Sequence, residues 1–180
     1  MLDLIVKNAI IVTMEPDCEP FIGSVGIQDG RFKTVVKGEV KEAAKETVEA
    51  KGMILFPGMI NGHIHGDMTA LRGLGDGLTL LEQNEIYDSR RYFLEDMTHE
   101  ELKDSRELTY LEAVRSGTTF VLEHEYTSLG ELSINAMMDI GVKGGISDDM
   151  LDHYWRPEDT IPEDYYDNFI TMCKERGILP

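Results

Sequence analysis

Between residues 2 and 50 the apolar positions recur with a period of two: Leu4 and Val6, Ile10 and Val12, Val25 and Ile27, then Phe32. That period belongs to short strands with one face turned inward. Asp29-Gly30 separates Val25-Gly26-Ile27-Gln28 from Arg31-Phe32-Lys33-Thr34-Val35, and this dipeptide tolerates the positive φ that a two-residue hairpin requires. Residues 37–50 are rich in Lys and Glu and poor in apolar side chains. They read as a solvated connection with a helical turn and no chemistry.

After Gly52 the pattern changes. Met53-Ile54-Leu55-Phe56-Pro57-Gly58-Met59-Ile60 is a near-continuous apolar run of the kind expected for a strand buried on both faces. Helical and strand patterns then alternate. Leu78 to Leu94 reads as a helix, and Thr98-His99-Glu100-Glu101 is a capping box opening another that runs to about Arg115, with Leu108, Leu111 and Val114 as its apolar face and Gly117 just past its end. Thr118 to Leu122 is the next strand, Ser128-Leu129-Gly130-Glu131 a second capping box for a helix ending near Gly141, and Val142 to Ile146 a further short strand. An acidic stretch from Ser147 to Ile161 contains Asp148, Asp149, Asp152, His153 and Trp155 and reads as a mobile lid. Thr160-Ile161-Pro162-Glu163 then starts a last helix closing before Gly177. Alternation of this kind implies parallel strands joined by right-handed crossovers. The boundary between the two patterns is expected near Lys51.

The 180 residues include 17 Lys and Arg against 34 Asp and Glu, a net charge of -17. That sign repels nucleic-acid backbones and anionic lipid headgroups, so neither nucleic acid nor a membrane is expected as partner. Cys18 and Cys173 lack CxxC spacing and propose neither a disulfide framework nor a cysteine-rich zinc site. A cytoplasmic location is expected. Gly73, Gly75 and Gly77 are followed by no Lys-Ser or Lys-Thr, and their spacing fits no phosphate-binding loop.

The sharpest chemical feature is Asn61-Gly62-His63-Ile64-His65 at the end of the apolar run. In an extended segment residues i and i+2 share a face, so both imidazoles can reach one ion. The plain alternative is a pair of half-buried histidines bonded to backbone groups. His124 follows the Thr118 to Leu122 strand between Glu123 and Glu125, as a substrate contact or as a surface histidine. Arg72 and Asp67 lie on the loop after His65, able to bind a carboxylate and to orient a histidine, or to serve as ordinary ion-pair partners. His99 reads as a surface residue.

Three segments together resemble the N-terminal part of the amidohydrolase superfamily, and within it the branch of nucleoside, guanine and triazine deaminases and chlorohydrolases. They are Pro57-Gly58-Met59-Ile60-Asn61-Gly62-His63-Ile64-His65, then Met68-Thr69-Ala70-Leu71-Arg72-Gly73 with Leu80-Leu81-Glu82 behind it, and Arg115-Ser116-Gly117-Thr118-Thr119-Phe120. Asp3-Leu4-Ile5-Val6-Lys7-Asn8-Ala9 and Asp29-Gly30-Arg31 also resemble the small β domain that precedes the family's barrel.

The resemblance implies an α/β fold, a small β-sandwich domain over residues 1–51 followed by the first three or so units of a TIM-like (β/α)8 barrel over 52–180. A whole barrel takes about 250 residues, so the barrel is incomplete here. It further implies a divalent metal, Zn or Fe, with His63 and His65 as ligands, and Glu82, His124 and Arg72 as substrate contacts. Where family members often have a tryptophan after the acidic residue, this chain has Gln83, a departure that counts against a nucleoside. The family's later histidines, its aspartate and its proton-shuttling glutamate have no counterpart in these residues, so no catalytic acid or base is assigned. The implied reaction is hydrolysis of a C–N bond outside peptides, such as deamination of a nitrogen heterocycle by metal-activated water. Its implied partners are a small-molecule substrate and a complementary chain or second copy supplying the rest of the barrel, an oligomer in either case. The isolated chain is expected to be inactive, the alternative being a non-catalytic fragment or interaction module.

Overall fold

Strand β1 (Leu2–Ile11) organises the N-terminal part of the chain in a computed structural model that describes residues 1–86, 96–125, 129–148 and 164–178. It pairs antiparallel with β2 (Phe21–Gln28) and parallel with β4 (Ala44–Glu49) and the two-residue β5 (Ile54–Leu55), while β3 (Arg31–Lys37) lies outside β2. Asp29 and Gly30 turn the β2-β3 hairpin with φ of 51° and 69°, as their residue types lead one to expect. The period-two phase of β1 differs from the expected one. Asn8 adopts a φ of 60°, the register slips between Val6 and Ala9, and the buried residues are Leu2, Ile5, Ala9 and Ile11. The bulge flips the side chains after Asn8, so that Ala9 and Ile11 join Val6 in one cluster in place of Ile10 and Val12, while Leu2 and Ile5, before the bulge, pack in a separate cluster with Val40.

Residues 37–50 are not the expected solvated connection. Ala44–Glu49 forms β4, nearly all exposed, held by its main chain to β1 and by the Asn8 amide donating to Glu49 at 2.9 Å. An edge strand can be charged because backbone pairing, rather than side-chain burial, keeps it in place. An open apolar groove of about 410 Å³ lies on this unit, lined by Ile11, Phe21, Phe32, Leu55 and Phe56 among others.

The first compact unit extends over Met1–Pro57 and the second over Gly58–Pro180, so the boundary falls after residue 51. The apolar run at 53–60 is split between the two. Ile54–Leu55 completes the first sheet and Met59 starts the second, with Pro57, which has no N–H for a ladder, between them.

The second sheet has the parallel order β6 (Met59–Ile64), β7 (Thr118–Glu125), β8 (Lys143–Asp148). Between and after these strands come a 3₁₀ turn (Gly66–Leu71), α1 (His99–Arg115), α2 (Gly130–Ile140) and α3 (Tyr165–Glu175). The core holds Tyr110, Val121, Ile134, Met137, Ile146, Phe169 and Cys173, and each large apolar side chain so buried contributes roughly 1.5 to 3 kcal/mol. β6 is not buried on both faces: Ile60 is 73% exposed. Among the described residues β6 has a neighbouring strand on one side only.

α1 starts at the expected capping box. Thr98 accepts from the Glu101 N–H, and the Glu101 side chain accepts from Thr98 N–H at 2.8 Å. Past its end Gly117 adopts a φ of 89°. Its buried face is not the expected one. Leu108, Leu111 and Val114 are exposed, and Leu102, Arg106 and Tyr110 are buried. The helix turns Arg106 and Tyr110 toward Glu125 and Glu123 on β7 and leaves the leucine stripe exposed. α2 ends at Gly141 in the left-handed region; it begins behind Leu129 without a side-chain cap, and Ser128 lies outside the described residues.

Residues 80–86 are helical, and the rest of the helix expected to Leu94 lies outside the described residues, as do Asp149 to Glu163 with the expected lid. β8 takes up Ser147 and Asp148. No helix of the described residues is long and apolar enough to cross a membrane.

Candidate metal centre

The C-terminal ends of β6 and β7 bring three histidines together. β6 pairs with β7 as far as Asn61, skips the ladder at Gly62 and His63, and resumes at Ile64 opposite Glu123. In that break the His63 N–H turns to Asn61 Oδ1 at 3.2 Å. His65 follows directly, and the two imidazoles converge, with their Nε2 atoms 3.0 Å apart and rings nearly perpendicular at 83°.

The His65 Nδ1 atom lies 2.7 Å from the main-chain oxygen of His124. A carbonyl only accepts, so Nδ1 carries the proton and Nε2 presents its lone pair toward His63. The His63 ring stacks on the His124 ring at 4.2 Å. The expected strand Thr118 to Leu122 extends to Glu125, so His124 sits within β7 rather than beyond it. The structure thus assembles His63, His65 and His124.

The other two proposed contacts are engaged locally. Arg72 forms a two-pronged ion pair with Glu112, 2.8 Å at each prong. Glu82 Oε2 accepts from the Thr79 N–H at 2.9 Å and its hydroxyl at 2.7 Å, capping the helical residues 80–86. Gln83 reaches the Gly75 oxygen at 3.4 Å. Asp67 is buried.

Behind the histidines lies a polar cluster that the sequence pattern did not single out. β7 alternates: Val121, Glu123 and Glu125 are buried on the face toward α1 and α2, while Leu122 and His124 occupy the opposite face. Glu123 accepts from the Gly66 N–H at 2.7 Å and from the Tyr110 hydroxyl at 2.9 Å. Arg106 pairs with Glu125 at 2.7 Å and donates to Ser133 Oγ at 2.9 Å. Burial, reinforced by the neighbouring Glu125 charge, pushes the Glu123 carboxyl up to about 7. Burial likewise drives the Tyr110 hydroxyl well above its ordinary range. The available signal was two glutamates in phase with Val121 on a strand, matched by Arg106 and Tyr110 one helical turn apart on α1.

The donor set fits a metal in part. Two imidazole nitrogens bound tetrahedrally to one zinc at about 2.0 to 2.1 Å lie about 3.3 Å apart, so the 3.0 Å found here needs only a small opening. Among the described residues no group of three or more His, Cys, Asp or Glu is assembled to hold an ion.

Three parallel strands interleaved with helices, the first ending in a convergent histidine pair, define part of an α/β barrel. The amidohydrolase family model matches residues 54–170, and the chain belongs to that family. It is 38% identical over 122 residues to the 5'-deoxyadenosine deaminase of Methanosarcina mazei, covering 66% of this chain and 27% of that protein. It is 33% identical over 165 residues to the 5-methylthioadenosine/S-adenosylhomocysteine deaminase of Aquifex aeolicus, covering 91% and 36%. The fold is similar to atrazine chlorohydrolase from Arthrobacter aurescens TC1 complexed with zinc, with a TM-score of 0.72 and 16% identity, over 96% of this chain and 42% of that one. The chain therefore spans about a third of the length of the curated relatives it matches.

Proposed function

We propose that His63 and His65 are two ligands of a divalent metal, zinc first and iron as the alternative, in a protein that deaminates a nitrogen heterocycle by hydrolysis. The observation that carries this is the convergence of the two Nε2 atoms at 3.0 Å, with the His65 tautomer set by the His124 carbonyl. The two deaminase relatives support an aminopurine of the adenosine type as the first substrate to test. His63 and His65 would hold the metal, which when bound would supply a water of lowered pKa as nucleophile toward an electron-poor ring carbon.

The chain's own residues orient the site. His124 holds His65 by its main chain and restrains His63 by stacking, and its ring stands at the strand end where barrel enzymes collect substrate. Of the three proposed substrate contacts it is the one this geometry favours, since Arg72 and Glu82 must first leave Glu112 and Thr79. A catalytic zinc site uses three protein ligands. The remaining donors come from outside these residues, on the same polypeptide, a complementary chain or a second copy, and the chain alone is inactive. We propose a cytoplasmic location, in keeping with two cysteines, Cys18 and Cys173, that lack CxxC spacing.

Equilibrium dialysis against zinc tests the ligands. The chain is expected to bind zinc weakly and to lose that binding in His63→Ala and His65→Ala; binding that survives both substitutions contradicts the assignment. With the later barrel strands supplied, tight zinc and ammonia release from 5'-deoxyadenosine are expected. A completed barrel that holds zinc yet acts on no aminopurine or triazine supports a non-catalytic module instead.

A further inference from the structure

We propose that Glu123, backed by Tyr110, is a positioning residue of the metal centre: its buried carboxyl group fixes the Gly66 peptide and, through it, the direction of the His65 imidazole. The inference rests on the reading of His63 and His65 as ligands and deepens it.

A carboxylate removed from water is costly unless its oxygens are bonded. On the same face of β7 Val121 packs as an apolar side chain, which is what position 123 would hold if packing were its only task. Instead Glu123 is fully buried and divides its oxygens, Oε1 accepting from Gly66 N–H at 2.7 Å and Oε2 from the Tyr110 hydroxyl at 2.9 Å. The main chain of Gly66 lies directly against this pair. A Cβ added there would stand 3.1 Å from Glu123 Oε2 and 3.3 Å from the Tyr110 oxygen.

Neighbouring bonds complete the clamp. The His65 carbonyl accepts from Met68 N–H at 3.2 Å, and the His65 ring is tied to the His124 carbonyl at 2.7 Å. Two successive residues of β7 thus hold His65 from two sides, residue 124 by its main chain at the ring and residue 123 by its side chain at the following peptide. With both ends tied, the Nε2 lone pair has one direction left, toward His63. Partners that orient a metal ligand from behind typically change metal affinity 10- to 100-fold when removed.

The test is a zinc titration of the full chain followed by nitrogen NMR of the histidine rings, which also reports each tautomer. Glu123→Leu is expected to weaken zinc binding roughly tenfold or more and to give a mixed tautomer at His65. Glu123→Gln keeps an oxygen for the Gly66 N–H and is expected to recover most of the affinity. Val121→Ala is expected to lower Tm without changing affinity or tautomer, which separates positioning from stability. Should Glu123→Leu fail to fold, Tyr110→Phe is expected to weaken binding in the same direction by less. The proposal is overturned if Glu123→Leu, or in its place Tyr110→Phe, binds zinc as the unaltered chain does with the His65 tautomer intact. It is equally overturned if Val121→Ala weakens binding as much. If His63→Ala and His65→Ala leave zinc binding unchanged, the ligand assignment itself has failed, an outcome distinct from these.

Discussion

The Arg106 Nη2 atom lies 2.7 Å from Glu125 Oε1, with both side chains wholly removed from solvent. Ser133 donates to the same carboxylate, and the Leu102 carbonyl accepts from Nη1 at 2.9 Å. Burial opposes the guanidinium charge, yet Glu125 outweighs it and holds the Arg106 pKa above its ordinary value. This pair joins α1 to β7 at the residue next to His124.

Removing one partner leaves the other charge uncompensated in the core. Glu125→Leu is expected to lose about 3 to 5 kcal/mol of stability in urea unfolding, and the double variant Arg106→Met with Glu125→Leu to regain most of it. A double variant no more stable than the single one would show that the pair's shape, rather than its charge balance, matters.

Glu123 makes stability depend on pH. Its carboxyl has an ordinary value of 4.5 and reaches about 7 in the fold. Between these pH values the folded chain retains a proton that the unfolded chain has lost, so stability is full below about 4.5 and falls as pH rises through 7. The loss amounts to roughly 3 kcal/mol. Denaturation midpoints measured from pH 4.5 to 8 should decline, and Glu123→Gln should flatten that decline; an unchanged slope in Glu123→Gln assigns the effect to another group.

Gly66 is buried directly after His65, against the Glu123-Tyr110 pair. Gly66→Ala forces a methyl group against both oxygens, with an expected cost of about 1 to 3 kcal/mol. Zinc binding should weaken alongside, because the peptide after His65 must shift. Thermal unfolding with zinc titration checks both, and a variant with unaltered affinity argues that the peptide can yield without moving the ring.

The parts of this fold that were legible in the sequence are those set by local chemistry. Asp29-Gly30 turns a hairpin because its residues accept positive φ, Thr98 and Glu101 cap α1 reciprocally, and His63 and His65 share a face because they lie two apart on an extended chain. What escaped depends on partners distant in sequence. β4 is charged and nearly all exposed and exists through its main-chain pairing with β1. The stripe of Leu108, Leu111 and Val114 looked like the core face of α1, but that helix buries Arg106 and Tyr110 because Glu125 and Glu123 await them on β7. Those glutamates flank His124, and nothing in their immediate neighbours announces the arginine and tyrosine that satisfy them. The convergence of the two histidines was legible, and the polar cluster behind them was not.

On the proposed ligand assignment, His63 and His65 share one ion. X-ray absorption at the zinc edge on the zinc-loaded chain tests it most directly. Two imidazole nitrogens at about 2.0 to 2.1 Å are expected, falling to one in His63→Ala or in His65→Ala. Zinc surrounded by oxygen alone, or an imidazole count unchanged by either substitution, would contradict it.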